Sequence, residues 1–184
     1  MKKIILASAL GALTMFMWGA ISWVALPWHK ATLHSFSNED AIIAVLKASN
    51  AESGNYMVPG YANSQEAMKA KAASGPVAHI TYSPVGYDMG PMFYIKGIVL
   101  DFIILLIAVS MLSKISWSLA SYSNRVKFMM MIGLVIGLSA RLGDSIYMGS
   151  GIDFALVFAI DEVITWTLVG LVVAKFMKPA LKAA

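Results

Sequence analysis

Four long apolar runs separate the polar parts of this chain. They cover residues 4–26, 92–112, 128–147 and 154–174. A helix that crosses a bilayer needs about 20 largely apolar residues, so the pattern predicts four membrane-spanning helices. The first run carries no charge between Lys3 and Lys30, whereas each of the other three includes charged residues.

The loop between the first two runs, over 27–91, is long enough to hold structure of its own. Ser37 opens a capping-box pattern, which predicts a short amphipathic helix after it. A polar helix is predicted over 63–73 with Asn63 as its cap. Residues 77–82 alternate in polarity, as in a strand, and a pairing with 56–58 is predicted. The predicted fold class is therefore an all-α integral membrane protein of four transmembrane helices, with a small α+β extracytoplasmic cap between helices one and two.

The first apolar run is expected to remain in the protein as an uncleaved signal anchor. Lys2 and Lys3 before an apolar run are typical of a secretory signal. However, this run is longer than the roughly 7–15 residues of a signal's apolar region, and it contains Trp18 and Trp23. Pro27 is expected to end the helix, because the residue before proline is biased away from helical geometry.

The amino-acid composition agrees with a membrane protein. Of the 184 residues, 59% are hydrophobic and 13% are charged, whereas a soluble domain carries about 25% charged residues. The chain has no cysteine, which excludes disulfides, thiolate metal sites, thioether-linked haem and a cysteine nucleophile. The net charge of +4 does not indicate nucleic acid, because the basic residues follow the bilayer pattern.

The distribution of basic residues predicts the orientation. One side of the membrane receives the N-terminus, a connection over 113–127 and a tail over 175–184, which together hold eight Lys and Arg and no acid. The 27–91 loop holds four lysines against five acids. Positive residues favour the cytoplasmic side, so both termini are predicted in the cytoplasm, with the chain in a bacterial-type inner membrane. The 113–127 connection is expected to be either an interfacial helix or extensions of the flanking spans.

Ionisable residues inside the predicted spans give the most specific signal. They are Asp101 in the second span, Arg141 and Asp144 in the third, and Asp161 and Glu162 in the fourth. At about 1.5 Å per residue, Asp101, Arg141 and Asp161 lie roughly 9–12 Å below the outer interface. Charges at this depth are costly and need partners. The sequence therefore predicts one polar cluster that joins the second, third and fourth helices.

The positions of the ionisable residues around each helix predict which of them face one another. Gly133 and Gly137 form a small-residue pattern that allows close backbone approach, and Arg141 shares their face. Glu162 lies on the small-residue face of the fourth helix, so it is predicted to point toward the third helix with Arg141 as its partner. Asp161 is about 100° further around the helix and is predicted to face the acid of the second helix.

Two interpretations of the cluster remain open. In the first, an arginine among carboxylates fixes the register of the helices and has no other role. In the second, the cluster is a proton or ion relay, or a polar pocket for a ligand. The acids outnumber the arginine, so at least one carboxyl is expected to carry a proton. A proton path and a structural hydrogen bond both use such a group.

The three histidines are weak metal candidates. His29, His34 and His79 are all predicted on the outer side, and a metal site could be assembled from them. His29 and His34 are five residues apart, which is a poor same-face separation on a helix, so solvated or interfacial histidines are the favoured reading. No histidine lies within a predicted span, and no GxSxG, HExxH, P-loop or Rossmann pattern occurs. No cofactor is predicted.

Three functional hypotheses follow. The leading one is a non-enzymatic accessory or scaffold subunit of a larger membrane complex, with lipid and either other membrane subunits or further copies of itself as partners. The second is a proton- or ion-coupled transporter or channel that uses the intramembrane carboxylate–arginine cluster. The third is a lipid-, quinone- or metal-binding protein or enzyme with its site under the outer cap.

Overall fold

Four long helices dominate the part of the chain that the structure describes. The computed structural model describes residues 1–61 and 64–178. Within these ranges, four helices are long and apolar enough to cross a membrane: Lys2–Ala25, Pro91–Ile115, Tyr122–Met148 and Ile152–Val173. They are the first to fourth long helices. The protein is mostly helical, at 69% helix, and these helices indicate a membrane protein.

The long helices and the shorter elements between them are numbered in chain order. In order, they are α1 Lys2–Ala20, the π-helical stretch π1 Ile21–Ala25, α2 Trp28–Ala31, α3 Glu39–Ala48, β1 Gly54–Val58, α4 Gln65–Ser74, β2 Ala78–Tyr82, α5 Pro91–Ile115, α6 Tyr122–Ile136, the π-helical stretch π2 Gly137–Leu142, α7 Gly143–Met148 and α8 Ile152–Val173. The first long helix joins α1 to π1, and the third joins α6, π2 and α7. The second is α5 and the fourth is α8.

The chain divides into two compact units. One contains Met1–Leu33, Met89–Ser145 and the described part of Ser150–Ala184, and the other contains His34–Asp88 and Ile146–Gly149. In the first unit, the fourth long helix packs against both the first and the third, and the second packs mainly against the first. The first and fourth helices are therefore the central pair of the bundle.

Glycines bring the third and fourth helices together as the small-residue pattern predicted. A Cβ atom added at Gly133 would lie 2.6 Å from the carbonyl oxygen of Glu162, and one at Gly137 would lie 2.9 Å from Cα of Ala159. These are backbone atoms, so no side-chain rotation would relieve the contact. The predicted face of the fourth helix, which includes Ala159 and Glu162, therefore packs on the third helix.

The apolar core lies toward the end of the bundle where the first long helix begins. Its largest fully buried side chains include Leu105 and Leu112 of α5, Met129 of α6, and Val169 and Val173 of α8. Trp166 and Ala7 join the same cluster. All four long helices therefore contribute to one core, although the second contacts the third over only a short stretch.

Arg125 closes this end of the bundle. The basic-residue pattern placed Arg125 among the charges of the aqueous connection, but the structure buries it with 4% of its surface exposed. Its Nε–H donates to the carbonyl of Ala174 at 3.2 Å, and its Nη1 donates to Leu119 and Ala120 at 2.9 and 2.8 Å. Ala174 is the C-terminal cap of α8, where carbonyls carry partial negative charge, so its carbonyl is a suitable acceptor for a buried guanidinium.

The connection between the second and third helices is shorter than predicted. The second helix continues to Ile115 and the third begins at Tyr122, so the flanking spans are extended and no separate interfacial helix forms. Ser121 caps the third helix by accepting a hydrogen bond from the backbone N–H of Asn124. The tail predicted over 175–184 is described only as far as Lys178.

The second unit contains the short α+β elements predicted for the first loop. Strands β1 and β2 pair antiparallel, with Tyr56 opposite Ile80 and Met57 opposite His79, as the alternation predicted. The first short helix is capped by Asn38, whose side chain accepts from Ala41 N, one residue after the predicted Ser37. The second begins after Ser64, and the predicted cap Asn63 lies outside the described residues.

Candidate functional site

A proline turn at the end of the first long helix builds the site. Leu26 adopts an extended backbone, with φ −90° and ψ 141°, because Pro27 disfavours helical geometry in the residue before it. The chain then turns back into the short helix α2, which packs against π1 and α8. This return brings His29 into the bundle, where none of its surface is exposed.

The π-helical turn at the end of the first long helix leaves one backbone carbonyl without its usual N–H donor, and the Trp28 indole takes the place of that donor. The N–H of Leu26 donates to the carbonyl of Ile21, five residues back, as in a π-helix. The carbonyl of Ser22 would need the N–H of residue 27, but Pro27 has none. Trp28 supplies the missing donor, with its Nε1 at 3.2 Å from the Ser22 carbonyl oxygen and 3.0 Å from Ser22 Oγ.

His29 and Asp161 form the centre of the site. Nε2 of His29 lies 3.2 Å from Oδ2 of Asp161 and 3.0 Å from Oγ of Ser22. Trp18 donates its indole N–H to the other carboxylate oxygen, Oδ1, at 2.6 Å. Both carboxylate oxygens therefore have donors, and the Asp161 side chain is only 13% exposed. These residues, with Trp28, form the polar site between the first and fourth helices and α2.

This arrangement is not a Ser–His–Asp catalytic triad. In such a triad the serine and the aspartate contact different nitrogens of the imidazole. Here Ser22 and Asp161 both contact the same nitrogen, Nε2. The other nitrogen, Nδ1, is buried and has no hydrogen-bond partner among the described residues. His29 is therefore not placed to take a proton from Ser22 and pass it on.

Aromatic rings enclose the imidazole on several sides. Trp23 stacks on His29 with the ring centroids 4.2 Å apart and the planes 6° apart. Phe158 and Trp28 meet it with tilted rings at 4.7 and 5.5 Å. The enclosure fixes the orientation of the ring and excludes water, which strengthens the hydrogen bond to Asp161.

Arg141 lies in the third long helix, within π2, which packs against the fourth helix. Its Cζ atom is 4.7 Å from the centre of the Phe158 ring, a cation–π distance, and its Nε is buried without a hydrogen-bond partner among the described residues. The predicted pair of Arg141 and Glu162 is not among the direct ion pairs of the described residues.

The other predicted members of the cluster lie apart. Asp101 is half-buried in the second helix, and no hydrogen bond or ion pair joins its side chain to another residue of the described ranges. Asp144 is exposed near the end of the third helix. The prediction that Asp161 faces the second helix is wrong: its partners are Trp18 of the first helix and His29 of α2, because the fourth helix packs on the first rather than on the second.

The sequence reasoning missed Trp18, Ser22, Trp28 and the burial of His29. His29 was predicted as a solvated or interfacial residue on the outer side, whereas the structure buries it completely. A signal was available in Pro27. Pro27 ends the first long helix, and Trp28 and His29 follow it at once, so their ring nitrogens contact Ser22 of the same helix.

The histidines do not assemble a metal site in the described part of the chain. His29 belongs to the bundle unit, whereas His34 and His79 belong to the other unit. Among residues 1–61 and 64–178, no three His, Cys, Asp or Glu side chains are grouped so that they could hold a metal ion.

Comparisons with known proteins add no assignment. No protein-family model, no curated protein and no solved structure matches the chain. Any proposal for its role therefore depends on the geometry of the bundle.

Proposed function

We propose that the protein is a non-enzymatic accessory or scaffold subunit of a larger membrane assembly. The site around His29 and Asp161 serves as a structural clasp between the first and fourth helices. Its donors and acceptors are mostly satisfied by one another, and the sharing of one ring nitrogen by Ser22 and Asp161 argues against nucleophilic catalysis. Both features support a role in holding helices rather than in chemistry.

The observation that carries the proposal of a larger assembly is the position of Asp101. This half-buried carboxyl lies in the middle of an apolar helix, between exposed neighbours such as Leu100 and Ile103, and has no partner among the described residues. A carboxyl left alone in lipid is costly. A hydrogen-bond donor from a neighbouring subunit, either another protein or a second copy, would offset that cost.

The mass of the native particle tests the assembly. Extraction into lipid nanodiscs without detergent, followed by mass measurement, is expected to give particles that contain more protein than one 19.8 kDa chain. Asp101→Leu is expected to reduce the particle to a single chain. Asp144→Leu removes an exposed acid and is the matched control, which should retain the wild-type mass.

A single-chain particle in the wild type would contradict the proposal. So would an Asp101→Leu particle with the full wild-type mass. Either result would leave the unpartnered carboxyl without a role in assembly.

A proton- or ion-coupled transporter receives less support from the geometry. Among the grooves on the described part of the bundle, one lies between the first and fourth helices and another lies at the bundle end where the first helix begins. Neither groove is lined by Asp161 or Glu162. A relay that uses these carboxyls would need a water path to reach them.

We propose that the protein lies in a bacterial-type inner membrane with both termini in the cytoplasm. Four spans place the two ends of the chain on the same side, and the basic residues of the 113–127 connection and both ends favour the cytoplasm. The 27–91 segment then lies outside the cytoplasm.

Single cysteines test the orientation. The chain has no cysteine, so each introduced thiol is unique. In intact cells, a membrane-impermeant maleimide is expected to label Ser53→Cys in the outer segment and to leave Ser118→Cys unlabelled until the cells are opened. Both positions are exposed, so a difference in labelling does not result from burial of either side chain. The reverse labelling pattern would invert the topology.

A further inference from the structure

A pocket of about 490 Å³ opens at the end of the bundle where the first long helix begins and the fourth ends. Lys2, Lys3 and Lys178 line it, together with Ser113 of the second helix and the apolar side chains of Phe176 and Met177. Two separate parts of the chain, the start of the first long helix and the segment after the fourth, thus bring three ammonium groups to one concave surface.

These lysines have no acidic neighbours in the surrounding sequence. Residues 1–38, 102–143 and 163–178 contain no Asp or Glu. No acidic side chain of residues 1–61 and 64–178 is ion-paired with these lysines, so their charge is available to an external anion.

The lining fits a phosphate that carries an apolar tail. Lysine is a compact point charge with three donors and is a regular phosphate ligand. The hydroxyl of Ser113 has no hydrogen-bond partner among the described residues and can donate as well. Phe176 and Met177 supply an apolar wall, and basic pockets between spans at the cytoplasmic side are suited to anionic lipid head groups.

We propose that this pocket binds the head group of an anionic phospholipid, with Lys2, Lys3 and Lys178 around the phosphodiester and the acyl chains along the apolar wall. The chemistry shared with a free phosphate ion is the charged phosphoryl oxygen. The lipid differs in its acyl chains, which a membrane-embedded pocket with an apolar wall can hold.

Lipid retention by the full chain tests the proposal. The purified protein in neutral detergent is titrated with phosphatidylglycerol, with phosphatidylcholine and with inorganic phosphate, and binding is read by native mass spectrometry. We expect phosphatidylglycerol to bind and phosphatidylcholine to bind at least tenfold more weakly. Replacing Lys2, Lys3 and Lys178 together by Gln should weaken phosphatidylglycerol binding about 100-fold, at about 1 kcal/mol for each lysine near an anionic lipid.

A second triple variant separates the pocket from general surface charge. Lys114, Lys127 and Lys175 are exposed but do not line the pocket, and their replacement by Gln removes the same charge. We expect this control to bind at least tenfold more tightly than the pocket variant, and Arg at the three pocket positions to restore most of the binding. Helical content by circular dichroism shows that each variant is folded.

Three outcomes would overturn the proposal. Equal weakening in the two triple variants would mean a diffuse surface-charge effect. Equal binding of the two lipids would remove the role of the anionic head group. Competition by inorganic phosphate at the concentration of the lipid would identify a free-phosphate site instead.

Discussion

Replacing Asp161 with leucine is expected to destabilise the protein by about 2–6 kcal/mol, because two buried polar groups lose their partner at a cost of about 1–3 kcal/mol each. Leucine fills the space but accepts no hydrogen bond. The indole N–H of Trp18, at 2.6 Å from the carboxylate, and the imidazole of His29, at 3.2 Å, would both lose their acceptor. The change would be measured as the free energy of unfolding in mixed micelles of a mild detergent and dodecyl sulfate.

Asparagine at the same position is the matched control. The Asn side chain has nearly the same shape, and its amide oxygen still accepts from Trp18, so Asp161→Asn is expected to cost less than half as much as Asp161→Leu. Trp18→Phe keeps the ring and removes only the donor. If the clasp exists, Trp18→Phe and Asp161→Leu should be non-additive by about 0.5–3 kcal/mol. Full additivity, or wild-type stability of Asp161→Leu, would show that the site does not hold the helices.

Replacing Gly133 with alanine is expected to cost about 3 kcal/mol, at the upper end of the range for overpacking. The added methyl would lie 2.6 Å from the Glu162 carbonyl oxygen and 2.7 Å from Cβ of Trp166. These atoms belong to or adjoin the backbone of the fourth helix, so the two helices must separate to admit it. The free energy of unfolding in the same micelles measures the change.

Gly143→Ala is the matched control on the same helix. A Cβ atom there would meet nothing within 4 Å, and alanine has a higher helix propensity than glycine by about 1 kcal/mol. The control is therefore expected to be neutral or slightly stabilising. If the two variants unfold alike, the close contact between the third and fourth helices is not a determinant of stability.

The sequence was sufficient to predict structural features that depend on a single segment or on residues close together along the chain. An apolar run of membrane length must pair its own backbone groups in lipid, and a helix does so without help from other segments. The four long helices were therefore predictable, and so was the strand pairing around Tyr56 and Ile80, which depends on alternation and proximity along the chain. The contact at Gly133 was predictable because small residues repeat at four-residue spacing.

The polar cluster was not predictable in the same way. Its acids were found from the cost of charge in lipid, but their partners depend on which helices are neighbours. Asp161 was assigned to the second helix, and the structure gives it Trp18 and His29. Arg125 was counted as a surface charge, but it is buried and donates to the carbonyl of Ala174 in a distant segment as well as to the nearby carbonyls of Leu119 and Ala120.

The sequence by itself determined that this chain makes four membrane-length helices, a small α+β segment between the first two, and an excess of acids over bases within the spans. Only the tertiary structure decided that the first and fourth helices are the central pair and that His29 returns to meet Asp161. The physical reason is the range of the interactions. Hydrophobic length, helical hydrogen bonds and small-residue spacing act within one segment. The partner of a buried polar atom is set by how separate segments pack.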